Sequence, residues 1–113
     1  MTMQTAAQLD LVFGALADPT RRAILARLAD GQATVNELVE PFKLAQPTIT
    51  KHIKVLESAG LVSRGRDAQF RPVKLNATPL KEASMWIGNY KRFWEESLEQ
   101  LDTFVKELIE KEE

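Results

Sequence analysis

The period of the apolar residues changes twice along this chain, and those two changes set the order of its elements. From Leu9 to Gly60 apolar side chains recur at helical spacing, whereas Leu61 to Arg66 and Phe70 to Leu75 read as two short strands around Asp67-Ala68-Gln69. From Thr78-Pro79 onward the helical spacing returns and persists for about 30 residues. Four helices, a hairpin and one long helix make a mainly α fold with a small β-hairpin. The 113 residues suit one domain spanning 1–113.

Local chemistry places the boundaries. Leu9, Val12, Phe13 and Leu16 form one helical stripe that stops at Asp18-Pro19. There Asp18 can cap a second helix and Pro19 suits its first position. Ile24, Leu25 and Leu28 turn inward on that second helix, and Gly31 is placed to terminate it. Thr34-Val35-Asn36-Glu37 is a capping box opening a short third helix, which Pro41 should end early or distort in its last turn. Pro47 opens a fourth helix that runs to Gly60.

The third helix, its short turn and the fourth helix have helix-turn-helix lengths. At about 100° per residue, Ile49, Ile53, Leu56 and Gly60 share one sector of the fourth helix, while Pro47, Thr50, Lys51, Lys54 and Ser58 cluster opposite. One face is core; the other is small, polar and basic, as a helix lying in a major groove requires. Thr and Lys can reach base edges or phosphates from there, and Gln46 near the N-terminus suits an adenine edge. His52, the single histidine, sits at the edge of the core face and reads as a packing residue or a phosphate contact.

Arg64, Arg66, Arg71 and Lys74 follow on the two strands, where a basic wing can grip phosphates or enter the minor groove. The expected DNA-contacting set is therefore Gln46, Pro47, Thr48, Thr50, Lys51, His52 and Lys54 on the helix, with Arg64, Arg66 and Arg71 on the wing. Charge agrees with that placement. Residues 46–75 carry six Lys/Arg against two acids, or +4, although the whole chain is -1. Residues 76–113 carry five against nine, or -4. A basic middle beside an acidic tail puts an anionic partner on one face.

Three stretches carry a resemblance. Ala17-Asp18-Pro19-Thr20-Arg21-Arg22 followed by Ile24-Leu25 resembles the opening signature of the arsenical-resistance-repressor (ArsR) family. Gln46-Pro47-Thr48-Ile49-Thr50-Lys51-His52-Ile53-Lys54-Val55-Leu56, ending in Ala59-Gly60-Leu61-Val62, resembles that family's recognition helix. The segment from Arg71-Pro72 through Pro79-Leu80 to Trp86, Tyr90 and Arg92-Phe93-Trp94 is similar to a metal-free branch. The resemblance implies a winged helix-turn-helix repressor that binds double-stranded DNA as a homodimer and is released by some signal. It also implies dimerisation through the first and last helices, here near 6–17 and 79–110. Leu9, Val12, Phe13 and Leu16 would supply one part of that interface. Trp86, Tyr90, Phe93, Trp94, Leu98 and Leu101 would supply the other.

A partner also follows from length. A 30-residue helix is about 45 Å long, against a radius of gyration near 13 Å for a domain of about 100 residues. Such a helix cannot bury its stripe on its own subunit, and a symmetric copy would cover it.

Other classes find little support. Cysteine is absent and the last helix has no histidine, so no transition-metal site is expected and the carboxylates of Glu95 and Glu99 alone do not make one. One histidine and no glycine-rich phosphate loop leave no catalytic apparatus, so no enzyme and no cofactor are expected. Met1 to Ala7 lacks the features of a signal peptide and no apolar run suits a membrane span, which points to the cytoplasm. Two rival readings stay open: a winged-helix module that binds protein rather than specific DNA, and a small-molecule inducer pocket lined by Trp86, Tyr90, Phe93 and Trp94.

Overall fold

The computed structural model describes residues 6–66 and 71–112. They fall into two units, 1–83 and 84–113.

In the first unit, α1 (Ala6–Leu16), α2 (Pro19–Ala29), α3 (Val35–Phe42) and α4 (Gln46–Ser58) are followed by β1 (Val62–Arg64), β2 (Val73–Leu75) and the start of α5 (Thr78–Gly88). Each helix boundary has a residue that makes it. Asp18 caps α2 by accepting the Arg21 amide at 3.0 Å. Thr34 and Glu37 form the expected capping box on α3, with Glu37 N–H on Thr34 Oγ1 at 3.2 Å and Thr34 N–H on Glu37 Oε1 at 3.1 Å. Pro41 does not cut α3 short: the helix continues to Phe42. Its last turn instead tightens, the Lys43 amide reaching Glu40 O at 3.2 Å with Lys43 itself left-handed at φ +53°.

The end of α4 is a Schellman turn. Gly60 adopts φ +76°, its amide donates to Glu57 O at 2.9 Å, and the Leu61 amide reaches Leu56 O at 2.9 Å. Asn76 then pins the far strand to this corner, its side-chain amide donating to Gly60 O at 2.8 Å and its backbone amide to Leu61 O at 2.9 Å.

The two strands pair antiparallel with Val62 opposite Leu75, Ser63 opposite Lys74 and Arg64 opposite Val73. Both are shorter than expected. Arg66 and Arg71 lie just beyond the paired residues, and the expected turn at 67–69 and Phe70 lie outside the described residues. Val73 also bridges Ala33 in both directions, at 2.7 and 3.0 Å, which anchors the hairpin to the loop before α3.

The core of this unit joins Val12, Ile24, Leu28, Leu38, Ile49, Ile53, Leu56, Leu61 and Val73, all at most 3% exposed. Burying such side chains at roughly 1.5–3 kcal/mol each is what holds α4 in place. Val12 corrects an expectation: placed at the dimer surface from its stripe, it is 0% exposed within its own subunit. Leu9, Phe13 and Leu16 pack partly against the same core, while Leu11 is the large apolar residue of α1 left open to solvent. An 11-residue helix across a small core spends most of its apolar stripe at home.

The second unit corrects another. The expected single helix over 79–110 is α5, a 3-10 turn at Lys91–Phe93, and α6 (Glu95–Glu112). The break begins at Gly88-Asn89, both weak helix formers. Around it the amides fall back three residues: Asn89 to Trp86 O, Tyr90 to Ile87 O, Phe93 to Tyr90 O and Trp94 to Lys91 O, at 2.9–3.1 Å. The Leu98 amide on Trp94 O at 3.0 Å restarts the α pattern. At 18 residues, α6 is about 27 Å long, so length alone no longer demands a partner. No residue of α6 is buried, and Leu98, Leu101, Phe104, Val105, Leu108 and Ile109 are all exposed. Among the described residues no helix is long and apolar enough to cross a membrane.

Candidate nucleic-acid interface

The fourth helix divides as its spacing requires. Ile49, Ile53 and Leu56 are fully buried, while Gln46, Pro47, Thr48, Lys51 and Lys54 are exposed and Thr50 is half-buried. Three buried contacts on one face leave the other free to meet a ligand without unfolding anything. The turn before it is three residues, Lys43 to Ala45, and puts α3 against α4 in a helix-turn-helix.

On the wing, Arg66, Arg71 and Lys74 are exposed, so with Lys51 and Lys54 of α4 five of the basic groups expected to meet DNA stand in solvent. Arg64 differs: its side chain is half-buried and its Nε is enclosed without a hydrogen-bond partner. It is the least free of the wing arginines. Arg71 has a left-handed backbone at φ +33°, a conformation costing a non-glycine residue about 1–2 kcal/mol. Gly65 is required by close approach: a Cβ there would lie 2.8 Å from the Pro72 ring, and the Gly65 amide donates to Pro72 O at 2.8 Å.

His52 is directed elsewhere than the exposed face. Its Nδ1 lies 3.9 Å from Asp18 Oδ2 at the N-terminus of α2, and its side chain is 19% exposed. The Asp18 carboxyl is held below the usual carboxylate range, first by the hydrogen bond from the Arg21 amide; desolvation opposes this next, and the charges of Arg21 and His52 lower it further.

The same corner shows two residues that spacing did not assign. Arg21 donates through Nε to Ala15 O at 2.7 Å and through Nη2 to Gly14 O at 3.0 Å. Arg22 donates through Nη1 to Leu16 O at 2.7 Å. Both arginines of the Asp18-Pro19-Thr20-Arg21-Arg22 run therefore cap the C-terminus of α1, satisfying carbonyls that α1 cannot satisfy itself. A basic pair one turn past an N-cap was the available signal.

The aromatic residues of the second unit form a short ladder. Trp86 and Tyr90 have ring centroids 5.3 Å apart, Tyr90 and Phe93 6.4 Å, and the Arg92 guanidinium lies 4.9 Å over Phe93. Among the described residues no three His, Cys, Asp or Glu side chains converge as a metal ion would need.

Comparison with known proteins decides the family. A family described as a helix-turn-helix domain matches residues 16–64, the span from the end of α1 through β1. The transcriptional repressor SdpR of Bacillus subtilis is 38% identical over 79 residues, covering 70% of this chain and 88% of that protein. A crystal structure described as an ArsR family transcriptional regulator shares 39% identity at a TM-score of 0.73, covering 83% of this chain and 97% of that one. The chain belongs to the ArsR family. A further relative, the HTH-type transcriptional regulator Rv2034 of Mycobacterium tuberculosis, is 36% identical over 96 residues, covering 85% of this chain and 87% of that protein. The ArsR assignment fits the architecture, a mostly helical winged helix-turn-helix with a two-stranded wing. It makes the chain a DNA-binding transcription regulator with a helix-turn-helix domain. With no cysteine, this ArsR member fits a branch without the thiolate sensor site.

Proposed function

We propose that this regulator is a repressor acting in the cytoplasm as a homodimer on a two-fold-symmetric operator. Each α4 lies in a major groove, the two grooves about one helical turn apart. Gln46, Pro47, Thr48, Thr50, Lys51 and Lys54 face bases or adjacent phosphates, and Arg66 and Arg71 hold the backbone with Arg64 behind them. The observation that carries this reading is the division of α4 into a buried apolar face and an exposed polar-basic one, followed directly by the basic wing. The name of the Bacillus subtilis relative, a repressor, supports the sign.

The two units act together as one winged helix-turn-helix domain, one reading DNA and the other pairing subunits. Leu98 and Leu101 of α6, with Trp86, Tyr90, Phe93 and Trp94 before it, face a second copy, and Leu9, Phe13 and Leu16 complete the interface from α1. The exposed stripe of α6 supports this, since an unpaired face of that size is an association site.

Fluorescence anisotropy tests it, with duplex selected by the chain from a random library and an unselected duplex as competitor, across a salt series. Nanomolar-range preference that weakens steeply with salt is expected of a basic reading surface. Equal affinity for both duplexes, or no retention at low salt, would replace the reading with a protein-binding module.

A further inference from the structure

The Asp18–His52 pair joins two helices that the reading of DNA uses differently. His52 is on α4, one residue from Lys51, yet its ring lies toward the cap of α2. Asp18 is rigidly placed: the same Oδ2 that faces His52 accepts the Arg21 amide at 3.0 Å. Arg21 in turn holds the carbonyl end of α1. One corner thus links α1, α2 and α4.

We propose that His52 is a positioning residue, acting through Asp18 to hold α4 at the angle that discriminates operator from random DNA, and that this hold depends on the proton carried by His52. The inference rests on the DNA-reading function proposed above. It departs from the sequence expectation, in which His52 itself belonged to the contacting set.

The distance determines the character of the tie. At 3.9 Å the two atoms are too far apart for a hydrogen bond, so a neutral imidazole gains little from Asp18. An imidazolium at the same distance is attracted by the carboxylate charge. The carboxylate partner stays ionised across the interval in which histidines change charge, because the Arg21 amide stabilises its anion.

The surroundings leave Asp18 as the partner. The elements packed on α4 are α1, α2, α3 and β1. Their charged groups are Asp10, then Arg21, Arg22 and Arg27, then Glu37 and Glu40, and Arg64; α4 itself adds Lys51, Lys54 and Glu57. Among the described residues, Asp18 is the carboxylate within 4.0 Å of the imidazole. Arg21 and Arg22 are engaged with α1 carbonyls, Arg27 donates to Gly31 O, and Glu37 is held by Thr34.

A double-mutant cycle of the wild-type chain, Asp18→Asn, His52→Gln and the double variant tests this. Asparagine keeps the N-cap, so α2 is preserved while the charge is lost. The ratio of affinities for selected and random duplex is measured at pH 6 and pH 8, with salt series and urea unfolding on the same proteins. At the lower pH each single substitution should cut the ratio about threefold, the size of a partly exposed ion pair. The double should cut it no further. At the higher pH the coupling should vanish, and the salt slope should be unchanged throughout. Additive losses at both pH values would overturn the proposal. So would a slope lowered by about one phosphate in His52→Gln alone, the mark of a direct contact, or coupling seen only in unfolding. A wild-type chain that does not discriminate would overturn the proposed function, and this inference with it.

Discussion

Arg21 donates its Nε–H to the carbonyl oxygen of Ala15 across 2.7 Å, so the second helix closes the end of the first. Its second donor reaches Gly14 O at 3.0 Å, which uses the planar fork of the guanidinium. Lysine has the charge without the fork. Arg21→Lys should therefore lower stability by about 1.5–3 kcal/mol, the loss of one charged hydrogen bond. Urea unfolding of the two proteins at equal subunit concentration measures it; an unchanged midpoint would show that water caps α1 equally well.

Acid should act on the capping box of α3. The Glu37 carboxyl is held below the usual carboxylate range, first by the Thr34 amide and then by the Thr34 hydroxyl. A folded-state value below the unfolded one means that the unfolded chain binds more protons, so this contribution is present above the unfolded value and is lost as pH falls through the folded one. Glu37→Gln retains the box geometry and removes the titration. Its unfolding midpoint should fall less than that of the parent below about pH 4, and parallel acid profiles would contradict the assignment.

Much of the reading head was legible because its signals are local. Thr34 with Glu37, Pro47, and Gly60 each make a helix end through atoms within a few residues, and the buried face of α4 follows from spacing alone. What was not legible depends on partners elsewhere. Val12 lies on the same stripe as Leu9 and Phe13, and only the core it meets shows that it stays inside. The break at Gly88-Asn89 is masked because Trp86, Tyr90, Phe93 and Trp94 continue to fall near helical spacing across it. His52 reads from spacing as a packing residue or a phosphate contact at the edge of the core face; its position near Asp18 depends on how α2 approaches α4. The arginines after Asp18 were recognisable as a motif, but their carbonyl partners lie on the preceding helix.

Pairing of subunits should be separable from folding of the reading head. Leu101 and Leu108 lie seven residues apart on one face of α6 and are 58% and 46% exposed. Replacing both with aspartate removes apolar contact across the proposed interface while disturbing no buried residue. Dissociation should strengthen about 10,000-fold, taking roughly 1.4 kcal/mol from each of the four leucines that the substitution removes from a dimer. Sedimentation velocity would show a monomer at concentrations where the parent is a dimer. A sedimentation coefficient equal to the parent's would place the interface elsewhere.

The most direct test of the central claim, that the exposed face of α4 reads base pairs, is the operator preference of Thr50→Ala/Lys51→Ala by competition anisotropy. Neither side chain is part of the core, so the variant should remain folded and dimeric. Loss of two base-reaching groups should remove about 2–6 kcal/mol of discrimination, leaving salt-dependent binding that treats selected and random duplex alike. A variant that still prefers the selected duplex as strongly as the parent would contradict the assignment of α4 as the recognition helix.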